Sequence, residues 1–201
     1  YVWLLNNDTV IDPGALSHMV RRMEKSPDAG ICGSTLLLYS EPKVLWARGG
    51  ATYNRWIALA RHIGLGQLVS KQEDSDRVER RMDYVVGASM LVSREFLQEI
   101  GLMCEDYFLY YEEMDWAARA MGRYRLAYSP ESVVYHKVGA SVNAFNKINE
   151  NQYVLKKLFL ENILRFTRKF YPRTVPTVWL AVQAARSLHF FRRQRSRLFR
   201  G

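Results

Sequence analysis

The sequence predicts an α/β fold: a mostly parallel sheet with helices against it, followed by a basic helical extension. Three observations predict it. Short apolar runs of strand length alternate with amphipathic stretches of helical period. The first run, Val2–Leu5 in "YVWLLNND", is continuously hydrophobic, as strands covered on both faces of a parallel sheet are. Charge is also split along the chain: residues 1–150 carry 17 Lys/Arg against 19 Asp/Glu, and residues 151–201 carry 12 against one. The formal charge of +9 therefore belongs to the C-terminal segment. A front domain over 1–150 and an extension over 151–201 follow, and whatever the basic segment binds is separate from the front domain.

With 201 residues, 48% of them hydrophobic, the chain can bury a core of one domain with appendages. A domain rarely opens inside a buried strand, so earlier sequence is expected to precede Tyr1. After the first strand, Asp12 can cap a helix with Pro13 at its first position. Leu16, Met19, Val20 and Met23 give that helix an apolar face. "AGICGSTLLLY" (Ala29–Tyr39) reads as a second strand, and "VLWARGGATYN" (Val44–Asn54) as a strand or hairpin ended by Gly49-Gly50. Arg61–Arg81 is polar and irregular, which predicts a mobile loop. "MDYVVGASMLVS" (Met82–Ser93) is a strand interrupted by Gly87, and "REFLQEIG" a short helix ended by Gly101. In "YYEEMDWAARAMG" the helix turns Met114, Ala117, Ala118 and Met121 inward, with Gly122 closing it. "YRLAYSPESVVYHK" reads as two strands broken at Ser129-Pro130. From Gln152 the pattern is helical, divided at Tyr171-Pro172 and Val175-Pro176. The longest apolar run, "TVWLAVQAA", is too short to span a bilayer. Cys32 and Cys104 form no C-x-x-C pair, which suits a reducing compartment.

Three places can carry chemistry. Asn6, Asn7 and Asp8 end the first strand, where open α/β sheets place ligands. A carboxylate there can hold Mg²⁺ or Mn²⁺, which take oxygen ligands and keep waters and substrate phosphates; the same residues also suit a plain Asx turn. In "YYEEMDWAAR" (Tyr110–Arg119), Glu112 and Glu113 fall in the first turn of a helix, where acids are favoured. Asp115 and Arg119 form an i,i+4 pair. A well-capped helix explains those acids but not the aromatic approach "YFLYY". Aromatics beside acids form a floor for sugar rings and desolvate a carboxylate, raising its pKa toward general-base values. His136, in "VYHKVGAS", stands at a strand end either as a structural residue or as a ligand. Gly139 and Ser141 beside it let backbone approach a phosphate.

In order, these pieces resemble the bacterial family 2 glycosyltransferases, especially their rhamnosyltransferase-like branch. "LLNNDTVIDPGAL" is similar to the family's D-x-D-type metal motif and following helix. "DYVVGASMLVSREFLQEIGLMCEDYFLYYEEMDWAARA" is similar to its acceptor-side signature, and "VYHKVGAS" to its His-x-x-Gly-x-Ser element. "LENILRFTRKFYP" looks like the tail that often follows. The resemblance implies a GT-A-like nucleotide-sugar domain whose base- and ribose-binding strands precede Tyr1. It implies an inverting transfer of a sugar from a nucleoside-diphosphate sugar to a glycan or lipid-linked acceptor, in the synthesis of bacterial surface polysaccharide. By the same resemblance Asp8 holds the metal, with His136 at the metal or diphosphate and Asn6 and Asn7 beside the donor. Glu113 is the general base and Asp115 an orienting or acceptor-binding acid. Four departures stand out: Asn6 where the first acid often stands, Glu113 where Asp is commoner, and Met103 and Cys104 in place of Phe and Asp.

The final stretch "SLHFFRRQRSRLFR" mixes Leu188, Phe190, Phe191, Leu198 and Phe199 with six arginines counted from Arg186. Residues 186–201 thus suit an anionic membrane surface, which agrees with a cytoplasmic enzyme peripheral to the inner face of the cell membrane. A frayed, solvated terminal helix is the plain alternative. Nucleic-acid binding is not expected, because the front domain is near neutral and carries no such motif. A catalytically inactive, glycan-binding member of the same fold is the other rival, kept open by Asn6, Cys104 and Glu113.

Overall fold

A computed structural model describes residues 1–71, 73–138 and 152–184. The fold is α/β, but its sheets are mixed rather than mostly parallel. The larger sheet has six strands: β1 (Val2–Leu5), β8 (Ser89–Val92), β3 (Ala29–Leu38), β9 (Arg125–His136) and β2 (Thr9–Ile11) in spatial order, with β4 (Leu45–Arg48) on β3. Among the described residues only β3 and β9 run parallel in it; β1–β8, β3–β8, β3–β4 and β2–β9 are antiparallel. Part of the reason lies in one connection. An apolar run says that a strand is covered, not which way its neighbour runs. The segment 39–44 between β3 and β4 is too short for a crossover and forces a hairpin-like return. The other paired strands, the parallel β3–β9 and the antiparallel β1–β8, β3–β8 and β2–β9 alike, are joined by long excursions that leave either direction open.

A second sheet of three strands, β6 (Leu59–His62), β5 (Gly50–Asn54) and β7 (Tyr84–Val85), packs beside the first. The expected strand or hairpin over Val44–Asn54 is therefore two strands in two sheets, with Gly49 (φ +68°) as the joint. β1 is an edge strand with Val2 and Leu5 exposed, not a strand buried on both faces. Helix α1 (Ala15–Glu24) starts two residues after Pro13: Asp12 accepts from the Gly14 N–H at 3.2 Å and shapes the turn before it. Its Ala15, Met19 and Met23 lie on the sheet, whereas Leu16 faces solvent. Polar groups under α1 are satisfied among themselves: the Ser34 hydroxyl meets those of Ser89 and Ser132 at 2.8 and 2.9 Å, and Trp3 Nε1 donates to Ser89 at 3.0 Å.

Arg61–Arg81, expected as a mobile loop, contains the end of β6 and helix α2 (Ser75–Glu79). Asp74 caps α2 through the Arg77 N–H, Val78 enters the core, and the buried Glu79 accepts from Arg22 at 2.6 Å and from the Tyr128 N–H at 2.7 Å. Polar composition concealed these anchors. Helix α3 (Arg94–Ile100) is capped by Ser93 and closes at Gly101. Helix α4 (Glu112–Ala120) buries Met114, Trp116, Ala117 and Ala120, with Met121 exposed beyond its end. β9 is a single strand: Pro130 makes a bulge against Ser34–Thr35 instead of a break, and Thr35 Oγ1 donates to its carbonyl at 2.8 Å. Helix α5 (Gln152–Phe170) stops before Pro172, a 3₁₀ turn spans Pro172–Thr174, and residues 175–184 are helical. Ile163, Phe166, Val178 and Val182 share a core cluster with Ala51, Tyr84, Tyr111 and Met114 of the front domain. Gly139, Ser141 and residues 186–201 lie outside the described residues. No helix among the described residues is long and apolar enough to cross a membrane.

Candidate functional site

The polar turn Asn6–Asp8 carries the chain from β1, at one edge of the larger sheet, to β2 at the other. Backbone bonds pin it at both ends: the Asn6 N–H donates to Ala88 O at 3.2 Å, and the Lys137 N–H to Asp8 O at 2.9 Å. The Thr9 hydroxyl closes it onto Asn6 O at 2.6 Å. Because β2 pairs Thr9 with His136, the Asp8 carboxylate meets the imidazole: Oδ1 to Nε2 is 3.2 Å, with both side chains 11% exposed. His136 Nδ1 is sealed from solvent and has no hydrogen-bond partner among the described residues. The edge of Trp46 packs on the His136 ring and on His62, at centroid distances of 6.1 and 4.7 Å. Burial, ahead of any other influence, lowers the His62 pKa and keeps that ring neutral. Trp46 and His62 went unmarked in the sequence, since β4 and β6 belong to different sheets and meet only in the fold.

Glu113 is positioned by an unusual approach to α4. Tyr110 and Tyr111 both hold positive φ, 67° and 77°, a conformation that bulky residues keep only where surroundings enforce it. The surroundings here are α5: Asn162 Nδ2 donates to the carbonyls of Leu109 and Tyr110 at 2.9 and 3.2 Å, and the Tyr111 ring packs on Phe166 at 5.3 Å. This turn aims the first turn of α4 at Gly87, between β7 and β8. Glu113 Oε1 lies 3.2 Å from where a Cβ on residue 87 would sit, so glycine leaves room for the carboxylate, which takes the Gly87 N–H. Burial first, and the Glu112 charge second, push the Glu113 carboxyl up to about 7 against that backbone bond. Oε2 of Glu112 and of Glu113 are both sealed from solvent without a hydrogen-bond partner among the described residues. Glu112, also shifted upward by burial, was noted in the sequence only as a first-turn acid.

The two halves are joined through backbone. Gly87 donates to Glu113, the next residue accepts from Asn6, and two residues on is Asp8. Asp115, two positions along α4 from Glu113, points elsewhere. It is fully buried, with Oδ1 on Arg119 Nε at 2.7 Å and Oδ2 on Lys169 Nζ at 2.6 Å. The fold thus brings Asn6, Asn7, Asp8 and His136 together, ties Glu113 to them through Gly87 and Ala88, and sets Asp115 in a separate ion cluster. Met103 packs against the core cluster of Phe96 and Trp116, and Cys104 is a free thiol against that of Tyr107 and Tyr111. Two open hollows, of about 570 Å³ along α5 and about 260 Å³ between α2 and α4, contain none of Asp8, Glu113 and His136.

Among the described residues no group of three or more His, Cys, Asp or Glu side chains gathers as a metal site. One carboxylate and one imidazole, with Asp8 Oδ1 and His136 Nε2 3.2 Å apart, still fit a divalent ion of the Mg²⁺ or Mn²⁺ kind, which leaves most of its coordination to water and phosphate oxygens. No protein-family model matches the chain, and no curated protein matches it.

Proposed function

We propose that this chain forms the diphosphate- and acceptor-binding part of an inverting GT-A-type glycosyltransferase, which moves a sugar from a nucleoside-diphosphate sugar to a glycan or lipid-linked acceptor. The observation that carries the reading is the Glu113 carboxyl, its Oε2 sealed from solvent and its pKa raised to about 7, held on Gly87 next to the Ala88 carbonyl that accepts from Asn6 of the Asp8 turn. A carboxyl near 7 is half ionised at neutral pH, which suits a general base. In the proposed step the acceptor oxygen bonds to the anomeric carbon while the bond to the nucleoside diphosphate breaks, its electron pair leaving with the diphosphate. Glu113 takes the hydroxyl proton. Asp8 and His136 would hold a divalent ion with Asn6 and Asn7 beside it, and such an ion, when bound, offsets charge on the diphosphate. Asp115 would act by fixing α4. The reading puts the parallel strands of a GT-A sheet, and its base-binding loop, alongside β1. The outer edge of β1 is unpaired among the described residues, with Val2 and Leu5 exposed, which supports that placement. Residues 186–201 would rest on the inner face of the cell membrane, where lipid-linked acceptors are found.

The test is Glu113→Gln, assayed with a panel of nucleoside-diphosphate sugars and Mn²⁺ for release of nucleoside diphosphate in the presence of acceptor. The variant should lose transfer by about a hundredfold or more while binding donor as the unmodified protein does. Undiminished release would remove Glu113 from the base role.

A further inference from the structure

We propose that the tip of the β5–β6 hairpin, with the adjoining face of helix 175–184, inserts into the interface of an anionic lipid bilayer. This site is distinct from residues 186–201 and uses neither Asp8 nor Glu113. Hairpin tips are ordinarily built from Gly, Asn, Asp and Ser. This one reads Arg55-Trp56-Ile57-Ala58, with Ala58 at φ 53°. Trp56 is 53% exposed, Ile57 47%, and Leu59 is exposed beside them. The tip is held in that pose: Asn54 Oδ1 accepts from the Trp56 N–H at 3.0 Å, and the Arg55 guanidinium stacks over Trp56 and over Tyr171, 5.9 Å from each ring centre. Tyr171 leads through the 3₁₀ turn into helix 175–184. That helix turns Val178 and Val182 into the cluster containing Tyr53 and Ala58 of the hairpin, and leaves Trp179 (50%) and Leu180 (61%) outside. Two tryptophans and three aliphatic side chains thus stand exposed on neighbouring elements.

Charge decides what covers them. Arg55 and Arg61 stand exposed on the hairpin and Arg173 just before helix 175–184, with one acid, Asp83, beside them taking the Tyr53 N–H at 2.6 Å; Arg48 is instead buried against Glu73. Tryptophan prefers the headgroup level of a bilayer, and arginine can keep its guanidinium among phosphates while its stem lies along apolar surface. Anionic lipid satisfies both at once.

The experiment is co-sedimentation of the full chain with vesicles of phosphatidylcholine mixed with phosphatidylglycerol, beside vesicles of phosphatidylcholine alone. Trp56→Ser/Ile57→Ser should weaken partitioning into the anionic vesicles by about tenfold or more, with an unchanged thermal unfolding curve because both side chains are exposed. Brominated lipids should quench tryptophan fluorescence in the unmodified chain and quench it less in Trp56→Phe/Trp179→Phe. Unchanged partitioning of the Trp56→Ser/Ile57→Ser variant would overturn the proposal. So would a dimer in solution that the same variant dissolves, which would assign the patch to a second copy of the chain. Neither outcome bears on sugar transfer.

Discussion

The Glu113 carboxyl, beside the likewise raised Glu112, is one place where pH acts on this molecule. In the unfolded chain it titrates near 4.5; in the fold, burial and Glu112 hold it up to about 7. Below the lower value the group is protonated in both states and burial costs nothing extra. As pH rises between the two, the unfolded chain releases its proton first, so stability falls until the folded carboxyl also ionises. By linkage the loss is at most about 3 kcal/mol above neutrality. Glu113→Gln removes it. Urea unfolding should find the variant and the unmodified protein alike near pH 4, and the variant more stable by up to about 3 kcal/mol near pH 8. A difference that stays constant with pH would mean that Glu113 does not titrate in this way. Glu113 and Asp8 were legible in the sequence because each sits in a local pattern, a helix start and a strand end. The role of Asp115 was only half legible: Arg119 is one turn away, whereas Lys169 lies 54 residues further on and reaches it only in the fold. Trp46 and His62 were not legible at all, because no local spacing relates them to His136.

Between elements, the Asp115 cluster is what fastens α4 to α5. Its carboxylate is fully buried and is held by one cation from each helix, at 2.7 and 2.6 Å. Asn162 adds two bonds from α5 to the strained Tyr110–Tyr111 turn. Removing one partner of a buried ion pair is strongly destabilising, although Arg119 and Lys169 are partly exposed and can recover water. Asp115→Ala should therefore lower stability by about 3 kcal/mol in chemical denaturation, and Lys169→Met by less, since Arg119 still pairs with the acid. A loss below about 1 kcal/mol in Asp115→Ala, with the proposed sugar transfer abolished, would instead make Asp115 a group that touches substrate. At this scale the existence of most elements could be read from periodicity and caps. Their direction could not, because apart from β3–β4 the paired strands are joined by long excursions that allow either direction. Nor could the survival of β9 through Pro130, which rests on a bulge and on the Thr35 hydroxyl. α2 was hidden because its hydrophobic anchor is a single residue, Val78, and its other buried group is a charged one.

The whole molecule depends on how closely its two sheets approach. A Cβ built on Gly33 of β3 would lie 2.4 Å from the carbonyl oxygen of Gly49 and 2.7 Å from its Cα, so backbone meets backbone there. Gly49 has no freedom to retreat. Its N–H donates to Ser34 O at 3.0 Å in the larger sheet, and its carbonyl accepts from the Val86 N–H at 3.1 Å beside the smaller one. One methyl at position 33 must therefore push the sheets apart, and the displaced segment runs through Val86 to Gly87, the group that seats Glu113. Overpacking of this kind costs roughly 1–3 kcal/mol, and more where backbone blocks relaxation. Gly33→Ala should lose about 3 kcal/mol or more in urea unfolding. Amide exchange should accelerate in β5 and β7 more than in α1, because the smaller sheet is the part that must move. If β5 and β7 keep their protection while α1 and β3 lose theirs, the strain is being absorbed within the larger sheet, and Gly33 is not the point on which the two sheets are closed.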